Sequence, residues 1–329
     1  MSSLPVLVNV ARPSGEVDAV RLAHEVLAAG LSGLGFADSP RLFPDPLIQT
    51  ARVLDSDNRL LAGPCILSLP LTPVVKVANA LSTLAFHHPG RVVAVVGRGE
   101  SSLANEGIRP PRLEEYQRML AALRSLLPAE GHGMRLLGAA SGPRSIEVTS
   151  RELGGVLLDV GTSAVALRAA AARAERANPD VCVWAFLRVS VAIDRTQARE
   201  AGAPLLGSCA SRMVAAPDWY GVTPPMTSAL SVLAAAHDYR RHGTTAATTP
   251  LAHINLDAGA LEDAADLVRD RFILAASGEV ITERLRELTQ TGIRGIFLAG
   301  GLPGVVDRLP ELGAACSQLD APAGQERLR

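Results

Sequence analysis

The chain has 329 residues, of which 48% are hydrophobic and 20% charged, and its formal net charge is -1. This length fits one large α/β barrel or two smaller domains, and it can bury a substantial core. The near-neutral charge and the aromatic content of 3% argue against nucleic-acid binding, which usually relies on basic surfaces or stacking aromatic rings.

Neither the cysteines nor the N-terminus points to an oxidising compartment. Cys65, Cys182, Cys209 and Cys316 are scattered without C-x-x-C spacing, so we expect neither a disulfide framework nor a zinc site. The first ten residues lack a basic segment followed by a long apolar run, and no stretch is long enough to span a bilayer. We therefore expect a cytoplasmic protein that binds a small molecule, with neither nucleic acid nor membrane as a partner.

Short apolar runs alternate with helical segments along most of the chain. Strands are predicted at residues 4–10, 33–36, 60–69, 91–96, 134–139, 155–160, 181–191 and 293–299. Eight such units in alternation with helices predict a parallel sheet, and at this length they fit a closed (β/α)8 TIM barrel. A Rossmann fold is disfavoured, because no G-x-G-x-x-G motif follows the first strand.

Residues 194–271 break this alternation and are predicted to be a mostly helical insertion between the seventh and eighth strands. His237, His242 and His253 lie in it, and each either lines a substrate pocket or has a structural role. Trp219 and Tyr220 either face a ligand or pack the insertion. The whole chain, 1–329, is predicted to be one domain with a frayed tail at 321–329.

The fourth strand leads into a segment with candidate chemistry. Residues 92–96 form an apolar, mostly β-branched run, typical of a strand buried on both faces. Gly97 and Gly99 end it, and residues 100–102 add one glutamate and two serines. Ligands bind at the carboxyl ends of parallel strands. The segment is therefore either a ligand-binding loop or a polar connection without chemistry.

Several segments occur in an order that resembles the luciferase-like oxidoreductase superfamily, whose members are barrel enzymes that use FMN or the deazaflavin coenzyme F420. The matching segments are residues 35–39, 60–66, 88–101, 137–143, 155–159 and 292–301. They cover most of the chain and are weakest at 194–271. The ordered set carries the resemblance, since no single motif is specific.

The closer likeness is to F420-dependent oxidoreductases of the methylenetetrahydromethanopterin reductase type, which often have an acidic residue where this chain has Glu100. It implies hydride transfer between reduced F420 and an unsaturated C=C, C=N or C=O group of a small-molecule or natural-product substrate. It also implies a homodimer. Ser39 stands where some sugar-phosphate dehydrogenases of the family have a histidine, which disfavours alcohol oxidation by a histidine base. The alternatives are an FMN-dependent monooxygenase that uses O2 and a non-catalytic ligand-binding barrel.

The resemblance also implies roles for two acidic residues. Glu100 and Asp38 are candidate catalytic residues, because hydride delivery leaves a negative charge that a carboxylic acid of raised pKa can neutralise. Asp38 would also contact the cofactor. Alternatively, Glu100 caps a helix or pairs with Arg98, and Asp38 belongs to a plain turn.

Three segments are predicted to bind the cofactor, with plain turn geometry as the alternative for the glycine-rich loops. A bulge in the third strand would lie behind the cofactor ring, where the family often has a non-proline cis peptide. A cis bond between Gly63 and Pro64 is the alternative there. The other two segments would hydrogen-bond a phosphate or ribityl chain. The candidates are Gly63, Pro64, Cys65 and Ile66 in the bulge, Gly97, Gly99, Ser101 and Ser102 after the fourth strand, and Gly138, Ala139, Ala140, Ser141 and Gly142 after the fifth.

Two further side chains are assigned from their positions. Cys65 is expected to be a packing residue. His88 lies before the fourth strand, at the end of the barrel opposite the site, and is predicted to be a surface residue.

Overall fold

The computed structural model describes residues 4–13, 15–128, 131–242, 246–302, 304–317 and 319. The predicted frayed tail at 321–329 lies outside these residues. The strands are β1 Val6–Val10, β2 Gly33–Phe36, β3 Leu61–Pro64, β4 Leu67–Ser68, β5 Val93–Gly97, β6 Arg135–Ala140, β7 Gly155–Leu158, β8 Cys182–Val191, β9 Ile273–Ala276 and β10 Ile296–Ala299.

Helices follow most strands, as the alternation predicts. Those of the barrel are α1 Ala19–Ala28, α2 Pro46–Ser56, α3 Val74–His87, α4 Glu100–Asn105, α5 Leu113–Leu126, α6 Pro143–Leu153, α7 Ala164–Ala177, α13 Gly278–Thr289 and α14 Leu309–Cys316. Those of the insertion are α8 Arg195–Gly202, α9 Leu206–Ala215, α10 Pro217–Tyr220, α11 Pro224–Ala235 and α12 Ala258–Phe272.

The parallel strands form a nearly closed barrel, which confirms the predicted fold class. Their order is β3-β2-β1-β10-β8-β7-β6-β5-β4. β3 and β4 are two pieces of one strand position, because β3 pairs with β2 while β4 pairs with β5. The two ends of the sheet therefore meet at this interrupted position.

Of the two cis bonds considered for the bulge, the structure has the non-proline one. The cis peptide joins Cys65 and Ile66, not Gly63 and Pro64. Gly63 and Pro64 still pair in register with Gly35 and Phe36 of β2. They belong to the extended strand, and the ladder is interrupted only after them.

The predicted barrel pattern also omitted one strand. β9 follows α12 directly and pairs with residues 188–191 of β8, whereas the first part of β8 pairs with β7 and β10. A four-residue strand next to a long helix gives too short a pattern to be recognised from sequence. The insertion thus ends by returning to the strand from which it departed.

Side chains alternate between two apolar layers along each strand. In β1, Val6 and Val8 contact the helices, whereas Leu7 belongs to a cluster inside the barrel with Trp184 and Phe297. A third cluster, which includes Cys209 and Leu230, is formed by the helices of the insertion together with Ile273 of β9. The insertion therefore has a core of its own beside that of the barrel.

The structure also corrects the placement of His88, which is buried. Its Nδ1 lies 2.8 Å from Arg91 Nη2, and its Nε2 lies 3.4 Å from Asp55 Oδ1. Contacts with Arg91 and with Asp55 of α2 cover a residue whose sequence position indicated only the end of a helix. Within the described residues, no helix is long and apolar enough to cross a bilayer.

Candidate functional site

The carboxyl ends of the strands form one end of the barrel, which we call the barrel mouth. Three of the predicted residues form a small apolar surface there. A Cβ atom placed on Gly97 would lie 2.5 Å from Ile66 Cγ2 and 3.7 Å from Ala139 Cβ. β4, β5 and β6 are neighbours there. Only glycine at position 97 keeps this surface low, so Ile66, Gly97 and Ala139 together form a shelf suited to a planar ring.

Asp38 connects the end of β2 to two other elements of the mouth. Its Oδ2 accepts a hydrogen bond from the Ser68 backbone N–H at 2.8 Å, and its carbonyl oxygen accepts one from the Ser102 hydroxyl. Burial raises the pKa of the Asp38 carboxyl and the charge of Asp45 adds to this, although the Ser68 hydrogen bond opposes it. The Asp38 carboxyl therefore stays protonated to a higher pH than an ordinary aspartate does.

Gly99 and Glu100 begin the short helix α4. Gly99 has φ 73°, and a Cβ atom on it would lie 1.7 Å from Ser68 Oγ, so this position requires glycine for two reasons. The Glu100 side chain is 70% exposed and lies 3.7 Å from Arg98 Nη1. The pairing with Arg98 considered as an alternative is therefore present. Ser101, the next residue of α4, is partly exposed.

Several other predicted cofactor-binding residues face away from the mouth. A Cβ atom on Gly63 would lie 1.9 Å from the Val93 carbonyl oxygen, and one on Gly138 would lie 2.7 Å from Thr149 Cγ2. Both glycines thus permit close packing of a strand against its neighbour. Ala140 belongs to the layer between sheet and helices, and Pro64 is buried. Burial raises the pKa of the Cys65 thiol, which favours its neutral form.

Ser141 and Gly142 lie between β6 and α6, at the mouth. The Gly142 N–H donates to Ser145 Oγ at 3.2 Å, and the Ser145 hydroxyl donates to the Gly142 carbonyl at 2.9 Å. The Ser141 carbonyl accepts a hydrogen bond from Tyr220 Oη of the insertion at 3.3 Å. The start of α6 is therefore held by Ser145 of the same helix and by Tyr220 of the insertion.

A buried cluster of three charged residues was missed by the sequence analysis. Arg188 of β8 binds both carboxylate oxygens of Asp159, with Nη1–Oδ1 and Nη2–Oδ2 distances of 2.6 and 3.0 Å. Arg212 of α9 approaches Asp159 Oδ2 at 2.8 Å. Burial alone would raise the pKa of Asp159, but the two guanidiniums outweigh it and lower the value to about 2. A usable signal existed, because Arg188 is the only charged residue in the apolar stretch 181–191.

Asn9 is a second polar residue that sequence reasoning did not select. It follows Leu7 at the next inward-facing position of β1, and it is buried. Its Oδ1 has no hydrogen-bond partner among the described residues. A buried amide oxygen without a partner is costly unless a bound group donates to it. Asn9 therefore offers an acceptor to a ligand at the mouth.

The insertion covers the barrel mouth. Arg212 and Tyr220 reach Asp159 and Ser141, and the short turn Tyr239–Arg241 packs against α4. A small cleft opens near the ends of β1 and β2, with Arg12, Phe36 and Phe43 among its lining residues. In the described residues, no group of three or more His, Cys, Asp or Glu side chains could hold a metal ion.

Together these features fit a flavin-type cofactor. The shelf accommodates a planar ring, the partnerless Asn9 oxygen can accept from a ring N–H, and the residues before α6 can approach a polar tail. Asp38 lies at the adjoining strand end, where burial raises the pKa of its carboxyl. The arrangement can therefore place a planar redox ring beside this carboxyl group.

Solved structures share this fold at low sequence identity. The F420-dependent tetrahydromethanopterin reductase from Methanopyrus kandleri is 13% identical, covers 95% of this chain and 98% of its own, and gives a TM-score of 0.69. An F420-dependent secondary alcohol dehydrogenase, solved with an F420-acetone adduct, is 14% identical with the same coverage and a TM-score of 0.68. A long-chain alkane monooxygenase is 12% identical, covers 99% of this chain and 94% of its own, and gives a TM-score of 0.61.

A comparison with curated protein sequences gave no match. Residues 10–295 match the family model described as Luciferase-like monooxygenase, which is most of the chain. The nearly closed parallel barrel agrees with this match. The chain therefore belongs to the luciferase-like monooxygenase family, whose members are flavin- or deazaflavin-dependent oxidoreductases.

Proposed function

We propose that this protein is an F420-dependent oxidoreductase that transfers a hydride between the reduced deazaflavin and an unsaturated C=C, C=N or C=O group of a small molecule. The observation that carries the proposal is Asp38, a carboxyl group with raised pKa beside the shelf. A hydride acceptor gains negative charge on the atom next to the attacked carbon, and a nearby acid can neutralise it. The two F420-dependent neighbours, with TM-scores of 0.69 and 0.68, support deazaflavin as the cofactor.

The cofactor would be held by the shelf, by Asn9 and by the segment before α6. When bound, it supplies the hydride, and the protein supplies position and electrostatics. Ile66, Gly97 and Ala139 would contact the ring face, and Asn9 Oδ1 would accept a hydrogen bond from the ring. Ser141 and Gly142 would lie near the phosphate-bearing tail.

The remaining residues of the mouth would handle the proton and exclude water. Asp38 would hold the proton that the substrate receives, and the Ser68 N–H fixes the direction of its carboxyl. Arg212 and Tyr220 would keep the insertion over the mouth. Glu100 is exposed and paired with Arg98, so a second proton donor there would act from the solvent side.

The test is cofactor binding to the purified protein, with oxidised F420 and FMN titrated separately and followed by fluorescence quenching. Gly97→Val places a branched side chain onto Ile66, so F420 binding should weaken at least tenfold. Gly278→Ala is the matched control, because a Cβ atom there meets nothing within 4 Å. Circular dichroism verifies that both variants fold.

Each result has a defined meaning. Micromolar binding of F420 with much weaker binding of FMN supports the proposal. The reverse preference contradicts it and favours an FMN-dependent monooxygenase, the chemistry after which the family is named. Absence of binding for both cofactors contradicts it in favour of a non-catalytic barrel.

A further inference from the structure

The insertion contains a chain of three hydrogen-bonded side chains that the proposed reaction does not use. Thr248 Oγ1 donates to the Pro204 carbonyl at 2.8 Å and lies 3.1 Å from His237 Nδ1. His237 Nε2 lies 3.0 Å from His242 Nδ1. The chain is buried at Thr248 and His237 and partly buried at His242.

These contacts determine which nitrogen of each imidazole carries the proton. The single proton of the Thr248 hydroxyl is used on Pro204, so its oxygen must accept from His237 Nδ1–H. A neutral imidazole has one N–H, which leaves His237 Nε2 as an acceptor. His242 Nδ1 must then donate to it, and His242 Nε2 carries an unshared lone pair.

The surroundings keep both rings neutral. Burial, together with the charge of Arg212, lowers the pKa of His237 to about 4, although Asp238 acts in the opposite direction. Burial is the main cause that lowers the pKa of His242 to about 3, and His237, Arg212 and Arg188 contribute the rest of this shift. His242 Nε2 is therefore a hydrogen-bond acceptor at neutral pH, and it is a poor proton acceptor.

One packing contact and one electrostatic effect place His242 near the barrel mouth. The turn Tyr239–Arg241, which it directly follows, packs against α4. The positive charges of Arg188 and Arg212, which bind Asp159, lower the pKa of its ring. Among the residues that the structure describes, no group forms a hydrogen bond with His242 Nε2.

We propose that His242 Nε2 accepts a hydrogen bond from a hydroxyl or N–H group of the substrate, and that His237 and Thr248 are positioning residues that hold it in this tautomer. The substrate class is thereby narrowed to molecules that carry such a donor near the unsaturated group. This inference rests on the proposed function for the reaction, but the tautomer and the contact do not depend on which cofactor is bound.

The first experiment uses the protein without cofactor. With ¹⁵N-labelled histidine at pH 7, NMR should show a pyridine-like Nε2 and a protonated Nδ1 for both His237 and His242. Pairs of cyclic enones that differ only in a hydroxyl or a methoxy group are then titrated. The hydroxylated probes should shift the His242 Nε2 resonance and the methoxy probes should not. A protonated Nε2, or no shift with any hydroxylated probe, overturns the inference whatever cofactor the protein uses.

The second experiment measures F420-dependent reduction of the same enone pairs. The wild type should prefer the hydroxylated member, and His242→Asn should reduce that preference in kcat/KM about tenfold, because its amide can still donate to His237 but lacks the distal acceptor. His242→Gln, which carries an oxygen nearer the Nε2 position, should retain most of it. Equal loss for both members of a pair would indicate a purely structural role and would overturn the inference.

Discussion

Arg188 and Asp159 form a buried two-point ion pair between neighbouring strand positions, with Nη–Oδ distances of 2.6 and 3.0 Å. The pair lies inside the molecule, where a charge left alone cannot be solvated. Arg212 adds a contact at 2.8 Å from the insertion. Barrel and insertion thus share one carboxylate.

Arg188→Met should therefore destabilise the protein by about 3–5 kcal/mol, because Asp159 loses its two-point partner while remaining buried. Urea denaturation measures the change. Arg199→Met is the control, since Arg199 pairs with Glu262 and Asp266 at the surface and should contribute less than about 1 kcal/mol. A cost for Arg188→Met as small as that of the control would show that the pair is not effectively buried.

Gly99 is expected to tolerate no side chain. Gly99→Ala combines a left-handed backbone with a Cβ atom 1.7 Å from Ser68 Oγ, whereas Gly107→Ala has the same kind of backbone, at φ 68°, with nothing within 4 Å. The control should cost about 1 kcal/mol, and Gly99→Ala a further ~1–3 kcal/mol. Chemical denaturation of both variants gives the difference, and equal costs would mean that α4 moves away from Ser68 freely.

Asp38→Asn should slow the reduction of an enone by F420 about 100- to 10,000-fold, because the amide cannot supply the proton. F420 binding should change little. Because the pKa of Asp38 is raised, the wild-type rate should stay high at pH values where an ordinary aspartate has already lost its proton. The rate should then fall as the pH rises through the raised pKa of Asp38. Stopped-flow pH profiles check this, and the Asn variant should lack the dependence.

Asp45→Asn provides a finer test of the same assignment. Asp45 raises the pKa of Asp38 through its charge, and it caps α2 through Oδ1, which accepts from Leu47 N and Ile48 N. Asparagine keeps the capping oxygen and removes the charge. The fall in rate should therefore occur at lower pH, while the free energy of unfolding of the protein stays nearly unchanged. A fall that occurs at the wild-type pH would argue against Asp38 as the titrating group.

Acid should destabilise the insertion through His237 and His242. The folded-state pKa values of His237 and His242 are lowered to about 4 and about 3, below the usual value of 6.5. Between pH 6.5 and about 4 the unfolded chain binds more protons, so stability falls as the pH falls. Between pH 7 and pH 5 the melting temperature of the double variant, His237→Gln with His242→Asn, should fall less than that of the wild type. The exposed His253→Gln should behave like the wild type.

The barrel was predictable because its signal is local and repeated. The apolar run at 92–96 predicts a buried strand, and the structure places the buried strand β5 there, at Val93–Gly97. The sequence did not predict which way the glycines face. Gly97 faces the mouth, whereas Gly63 and Gly138 face neighbouring backbone and side chains, a distinction that depends on which way each strand position points.

The polar contacts of the mouth were not predictable, since they join residues far apart in sequence. Arg188 and Asp159 are 29 positions apart, and Arg212 comes from the insertion, whose packing the sequence does not reveal. His237 and His242 were recognised only as residues of that insertion. Their five-residue spacing matches no helical face, and it takes the turn Tyr239–Arg241 to bring the rings together.

The first half of β8 pairs with β7 and β10 and completes the barrel, whereas its second half pairs with β9. The segment between them leaves and rejoins the scaffold at a single strand, and it has a core of its own. Such a segment resembles an exchangeable cassette. Grafting residues 195–272 from another family member, with β9 retained, should transplant substrate choice while leaving the cofactor platform intact, so that new specificities can arise without redesign of the barrel.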